Sequence, residues 1–323
     1  MKELLHHEYN IRNAALTPFE LGVVNRNYRV DADGERYVLK SYATQHYKPQ
    51  EIRRVIQIQE LVRTQGFPVP AVIPNRQGEG VTETADGFVV LSRFAEGHHL
   101  ERGHIPPNAA RSMGETLGRL QTLLEPIEEL RPYKPSDLAI TIEFLEKMLG
   151  MAEQKLGHTP AHEAARETLR WKIRALPMME PYLAKFETLR SQLLHGDYQE
   201  TNVLFDDQQR VSAVIDFDNI RVLPRARELM RAMSICFFVQ GELLPEAFDF
   251  LSAYHEQVQA PEAEVALYAP LCAYYHLFST WPINVLVMRP EAYDVRWDRF
   301  LQPPNTFWES NIDRLTDQFL SVI

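Results

Sequence analysis

The residue types best suited to chemistry fall in one stretch, His195-Gly196-Asp197-Tyr198-Gln199-Glu200-Thr201-Asn202, followed closely by Ile215-Asp216-Phe217-Asp218. Together they offer a carboxylate in a loop, an amide oxygen at the end of that loop and further carboxylates after a short hairpin. Phosphoryl transfer asks a protein for little covalent chemistry. It asks for a carboxylate that orients an acceptor hydroxyl and takes its proton, and for hard oxygen ligands that hold Mg²⁺ on the phosphates. Asp197 suits the first task. Asn202 and Asp216 suit the second, as metal ligands from adjacent strand ends. A lone His-x-Asp pair would read as an ordinary polar loop, so the weight lies in both spacings and the flanking strands together.

A second feature lies far upstream. Lys40 ends the apolar strand Tyr37-Val38-Leu39-Lys40. A buried ammonium is costly without a partner, and a nucleotide phosphate is such a partner. The stretch 21–27 ahead of it contains Gly22, Asn25 and Asn27. Its backbone N–H groups and polar side chains could cover the phosphates.

Elements must hold these groups in place. Tyr28–Asp31 and Arg36–Lys40 read as strands joined by Ala32-Asp33-Gly34-Glu35, a hairpin turn. A helix is expected from about Pro49 to Gln65, with Pro49 in its first turn and Gly66 at its end. Ile52, Val55, Ile58 (or Ile56) and Val62 share one face at helical spacing. Strand signals return around Val72 and at Phe88–Ser92, the latter after the turn Asp86-Gly87. Beyond Glu96-Gly97 the pattern becomes helical. One helix follows Asn108, a candidate cap, with Met113, Leu117, Leu120 and Leu124 on one face. Others run from about Asp137 to Lys155 and from Ala161 to about Leu176. Val203–Phe205 and Val211–Asp216 interrupt this region as short strands, and helices then resume to the C-terminus. The fold expected is α+β and bilobal: a small antiparallel sheet lobe over residues 1–94, which would bind the nucleotide, and a larger helical lobe over 95–323 for catalysis and substrate binding.

Composition narrows the function classes. The formal charge is −10, which argues against non-specific binding to nucleic acid or an anionic membrane. The sequence lacks an apolar run of spanning length and a signal-peptide pattern, so a cytoplasmic protein is expected. Cys236 and Cys272 sit in apolar surroundings and read as buried thiols in a reducing compartment.

The pattern His-Gly-Asp-x-x-x-x-Asn-Val-Leu-Phe, followed by Ile-Asp-Phe-Asp, resembles the aminoglycoside phosphotransferase and choline kinase-like branch of the protein-kinase fold. The resemblance runs from Leu21 to about Phe300. The stretch around Trp281 and Arg299-Phe300 also looks like the spore-coat and homoserine-kinase-like members. The resemblance implies an ATP-dependent kinase with Asp197 as catalytic base, Asn202 and Asp216 on Mg²⁺, and Lys40 on the α/β-phosphates. It implies that Leu91-Ser92-Arg93-Phe94 is a hinge whose backbone pairs with adenine, so that Ser92 and Phe94 join the nucleotide site. His195 would hold the catalytic loop, and Asp218 could assist the metal. The implied acceptor is a hydroxyl of a small molecule (an aminoglycoside, amino alcohol, homoserine or sugar), in a monomer or homodimer. A protein Ser/Thr kinase of the bacterial stress-kinase kind and a nucleotide-binding pseudokinase are the alternatives.

The sequence departs from the family pattern in places. The helix glutamate that pairs with the lysine is replaced, its position looking like Val55, with Glu51 and Gln59 one turn to either side. Gln199, Gln121 and Glu228 stand where relatives often have a basic residue or histidine, a histidine and an aspartate. Among weaker features, His98, His99, Glu101 and His104 match no zinc spacing and read as a solvated loop. Tyr274, Tyr275, His276, Phe278 and Trp281 read first as core packing and second as a wall for a cationic acceptor group, near Glu291, Asp294 and Asp298.

Overall fold

The structure is a computed structural model that describes residues 1–19, 26–43, 48–127, 135–136, 138–239, 241–301 and 307–323, with the side chains at 296, 299 and 300 excepted. The chain divides into two compact units, Met1–Leu100 with His195–Ile220, and Glu101–Leu194 with Arg221–Ile323.

The first unit is built on an antiparallel sheet. Its strands are β1 (Ala15–Pro18), β2 (Arg26–Ala32), β3 (Glu35–Ala43), β4 (Val72–Ile73), β5 (Thr82–Thr84) and β6 (Gly87–Arg93). The spatial order is β1-β2-β3-β6-β4, with β5 also paired to β6. The β2–β3 turn forms where expected. Asp33 and Gly34 both adopt positive φ, 52° and 80°, as the tight hairpin twist requires. Two helices join the sheet, α1 (Lys2–Tyr9) and α2 (Pro49–Thr64). Helix α1 was not anticipated: its composition is polar and only Leu5 is buried, so it carries no apolar stripe. Leu5 instead enters a core with Val30, Leu39, Val89 and Leu91. Helix α2 buries Ile52, Ile58 and Val62, as its periodicity predicts. Burying side chains of this size contributes about 1.5–3 kcal/mol each.

The segment 195–220 belongs to this same unit. It contains the hairpin β8 (Val203–Phe205) and β9 (Val211–Val214), whose pairing opposes Val203 to Val214. The expected second strand thus ends two residues short of Asp216. His98 and Phe205 exchange backbone hydrogen bonds of 3.0 and 2.9 Å. Gly97 makes this approach possible. A Cβ there would lie 2.5 Å from Ser212 Oγ and 2.8 Å from the Phe205 carbonyl, and its φ of +136° disfavours other residues.

The second unit is helical. It contains α3 (Pro107–Leu124), α4 (Leu138–Lys155), α5 (Pro160–Ala175), α6 (Glu180–Phe186), α7 (Arg225–Phe237), α8 (Glu246–His255), α9 (Glu262–Val265), α10 (Tyr268–Phe278), α11 (Ile283–Met288) and α12 (Phe307–Leu320). Helix α3 packs on α8, α4 on α5, and α10 on α7 and α12. The proposed Asn108 cap is replaced by an entry through Pro106 and Pro107, with no side-chain cap bond. Proline suits this position because its missing N–H would have had no helical partner. Two strands not read from the sequence, β7 (Ser191–Leu194) and β10 (Arg221–Pro224), pair antiparallel with Leu194 opposite Arg221. The chain therefore leaves this unit and returns to it at neighbouring positions, which closes the base of the 195–220 segment. A small hairpin, β11 (Phe238–Val239) with β12 (Glu242–Leu243), follows α7.

Both cysteines are buried free thiols, as expected. Among the described residues no helix is long and apolar enough to cross a membrane.

Candidate active site

The first unit brings Lys40, Asp197, Asn202 and Asp216 together through its own packing. The loop His195–Asn202 is anchored by His195, which is fully buried. Its Nε2 lies 3.0 Å from the Ile215 carbonyl, so the loop is tied to the residue preceding Asp216. The Ile215 N–H in turn donates to the Asn202 carbonyl at 2.9 Å. These links have the loop, the β8 start and the β9 exit meet at one place. The ring of His195 packs edge-on against Phe217, centroids 4.6 Å apart.

Asn202 donates its Nδ2 to both the backbone carbonyl and Oδ2 of Asp197, at 2.8 and 3.0 Å. This fixes the orientation of the half-buried Asp197 carboxylate. It also turns the amide: with the nitrogen end engaged by Asp197, the Oδ1 end is presented away from it as a hard oxygen. The donor set of one amide oxygen and the Asp216 carboxylate fits a hard divalent cation.

Asp216 itself adopts φ 62° and ψ 64°. A left-handed backbone is uncommon for a residue with a Cβ, and aspartate tolerates it better than most. Such strain, of order 1–3 kcal/mol, persists where surrounding structure enforces it and gathers at functional sites. Here the turn Phe217–Asn219 that follows sends both Asp216 and Asp218 toward β3. Lys40 Nζ lies 2.7 Å from Asp216 Oδ1 and 2.7 Å from Asp218 Oδ2. Burial pulls the Lys40 ammonium down, but the charges of Asp218 and Asp216 outweigh it and hold the group above the usual lysine range. Burial likewise pushes Asp216 up, yet the Lys40 charge prevails and keeps its carboxyl below the usual value.

The remaining sequence-derived positions lie as follows. Asn27 stands opposite Lys40 across β2 and β3, on the same sheet face. Its Oδ1 is buried without a hydrogen-bond partner, an acceptor that a bound donor would satisfy. Gly22 and Asn25 lie outside the described residues. Ser92 lies in β6, opposite Val38 on one side and Val72 on the other. The Phe94 N–H donates to the Arg36 carbonyl at 3.0 Å, so that amide is engaged within the sheet. His98 and His99 join no metal group: among the described residues no three or more His, Cys, Asp or Glu side chains gather as a metal site. His99 Nδ1 instead lies 3.1 Å from the Val203 carbonyl, which braces the start of β8.

One participant escaped the sequence reading. Tyr42, two residues beyond Lys40 on β3, donates its hydroxyl to Asp218 Oδ1 at 2.9 Å. The available signal was the Lys-x-Tyr spacing, which places both side chains on one face of a strand.

Comparison with known proteins agrees with this arrangement. The model of the phosphotransferase enzyme family matches residues 15–263. The chain belongs to that family: it is a phosphotransferase with a protein-kinase-like fold. It is similar to the solved structure of a microcompartment-associated aminopropanol kinase, with 19% identity over 100% of this chain and 98% of that one and a TM-score of 0.67. It is also similar to a spectinomycin phosphotransferase in complex with ADP and spectinomycin, at 16% identity, covering 98% and 97% of the two chains, TM-score 0.62. A Plasmodium vivax ethanolamine kinase matches at 15% identity over 98% of this chain and 89% of that chain, TM-score 0.61.

Proposed function

We propose that the protein transfers the γ-phosphate of ATP to a hydroxyl of a small amine-bearing molecule, with Asp197 as the base. The observation that carries this reading is the carboxylate of Asp197 held by Asn202 in the same unit as the paired Lys40 and Asp216. Two of the solved neighbours are named as kinases of amino alcohols, which supports an acceptor of that kind.

Asp197 accepts the proton of the acceptor hydroxyl as its oxygen forms a bond to the γ-phosphorus. The bond from that phosphorus to the β,γ-bridging oxygen breaks, and ADP leaves with the electron pair. Asn202 keeps the base oriented throughout. Asn202 Oδ1 and the Asp216 carboxylate would hold Mg²⁺, which when bound neutralises charge on the phosphates and aligns them. Lys40 exchanges its contact with Asp216 for the α/β-phosphates. Asn27, opposite it, lies on the same face, where its unsatisfied oxygen can accept from the nucleotide.

The test is a coupled ADP-release assay over amino alcohols, aminoglycosides, homoserine and sugars, with Asp197→Ala beside the wild type. One acceptor class should stimulate ADP release. The variant should lose about 10²–10⁴-fold in turnover, the usual contribution of a positioned base, with its thermal midpoint unchanged. A variant with near wild-type turnover would refute the assignment of the base.

A further inference from the structure

The compact region around Lys40 leaves a question that the transfer reaction does not answer by itself. A cation on Asp216 draws on the charge that now holds the lysine, and a lysine in a largely buried place whose anion is shared in this way needs another one. Helix α2 is the neighbouring element that could supply one, since it packs against the turn Phe217–Asn219. Its carboxylates and Gln59 are engaged elsewhere. Glu51 accepts from the Lys48 N–H at the helix start, at 3.2 Å. Glu60 accepts from the Val72 N–H and from Arg63. Gln59 donates to the Pro70 carbonyl at 2.7 Å. Val55 offers no charge at all.

Asp218 meets the need instead. It lies as close to Lys40 as Asp216 does, 2.7 Å, and its side chain is the more sheltered of the two, 13% exposed against 39%. Its other oxygen receives the Tyr42 hydroxyl at 2.9 Å. Lys40 also stands 5.4 Å from the centre of the Tyr42 ring, within cation–π range. Lys40 and Tyr42 are two apart on a strand, and Asp216 and Asp218 are two apart on a turn. The two spacings match, so that Tyr42 orients Asp218 while Asp218 pairs with Lys40.

On the reading proposed above, we infer that Asp218, oriented by Tyr42, is the positioning residue that keeps Lys40 aimed at the nucleotide phosphates once these take the place of Asp216 at the ammonium, with or without metal. It takes the place of a helix carboxylate.

The competing role for Asp218 is a direct metal ligand, and nucleotide binding without metal separates the two. Calorimetric titration of the full chain with ADP in EDTA is the experiment, on wild type, Asp218→Asn, Asp218→Glu and Tyr42→Phe. Asp218→Asn should weaken metal-free ADP binding by about tenfold, the scale of one lost hydrogen bond to a charged group. Tyr42→Phe should weaken it by a smaller factor, and Asp218→Glu should restore part of the loss. Metal-free affinity in Asp218→Asn equal to or tighter than wild type, with a raised Mg²⁺ requirement for turnover, overturns the inference and makes Asp218 a metal ligand. Should Asp218→Asn lack a cooperative thermal transition, Tyr42→Phe decides, and unchanged metal-free affinity there overturns it. Wild-type protein that transfers phosphate while the variants bind ADP normally defeats this inference alone. Wild-type protein that binds no ADP even with Mg²⁺ present defeats the proposed function as well.

Discussion

The sheet-based unit and the helical unit each bury cations, and they treat them differently. In the first, Lys40 is held by two carboxylates that remain partly open to solvent and sit on a strained turn. In the second, Arg225 is enclosed with Glu264, both under 10% exposed. Its Nε and Nη2 reach the two carboxylate oxygens at 2.8 and 3.1 Å, and Nη2 also reaches the Gln259 carbonyl. Lys172 in α5 donates to two backbone carbonyls at the end of α10, those of His276 and Ser279, the latter at 2.8 Å. Burial with no carboxylate pushes the Lys172 ammonium down to about 7, and burial together with that charge pushes His276 down to about 3. A cation becomes a working part when its anions can exchange it for a ligand. It remains a structural part when its partners are enclosed or are the backbone of a helix end.

The contrast can be broken at each cation, starting with the largest effect. Arg225→Met leaves Glu264 buried without its partner and should cost about 3–5 kcal/mol of stability by chemical denaturation. A loss below 1 kcal/mol would show that the pair is more accessible than the geometry indicates. Lys40→Met should do the reverse. Its turnover should fall by about 10²–10³-fold, the scale of losing one preorganised charge donor at a reacting centre, while its denaturation midpoint moves less than that of Arg225→Met. Equal stability losses in the two variants would erase the distinction between the units.

Lys172→Met should differ from wild type in the pH dependence of stability. The folded group releases its proton near pH 7, whereas the unfolded lysine keeps it up to its ordinary value of 10.5. Between those limits the unfolded state binds more protons, so stability rises with pH, by at most about 1.4 kcal/mol per unit. Denaturant midpoints measured from pH 7 to 10 should slope upward in wild type and lose that contribution in the variant, with turnover retained. Lys40 and Asp216 contribute with the opposite bounds. The stability from Lys40 is present below 10.5 and fades as pH rises through its raised value, and that from Asp216 is present above 3.8 and fades as pH falls through its lowered one. Their pairing therefore persists across the neutral range. An upward slope that survives in Lys172→Met would place its source elsewhere.

Much of the sheet unit was legible because its signals are local. Asp33-Gly34 specifies a hairpin turn, the apolar face of α2 repeats at helical spacing, and the His195–Asn202 loop carries its own residue types. Elements without a local signal were missed. Helix α1 buries one side chain. Strands β7 and β10 exist through their pairing with each other, with residues 195–220 between them. The cap assigned to Asn108 failed because two prolines ahead of it already start the helix. Tyr42 was overlooked since nothing near it in the chain reveals Asp218.

By itself the sequence determined the inventory: a carboxylate in a loop, an amide and a carboxylate that could ligate a hard cation, a lysine on a strand, and the order in which they come. Side-chain chemistry and short-range periodicity are sufficient for that. The tertiary structure alone decided that residues 195–220 join the sheet unit, and that Asp218 and Tyr42 stand with Lys40. Lys40 and Asp216 are 176 positions apart, as are Tyr42 and Asp218. Which distant charges meet, and how far water is excluded where they do, depends on packed surroundings that no local pattern encodes.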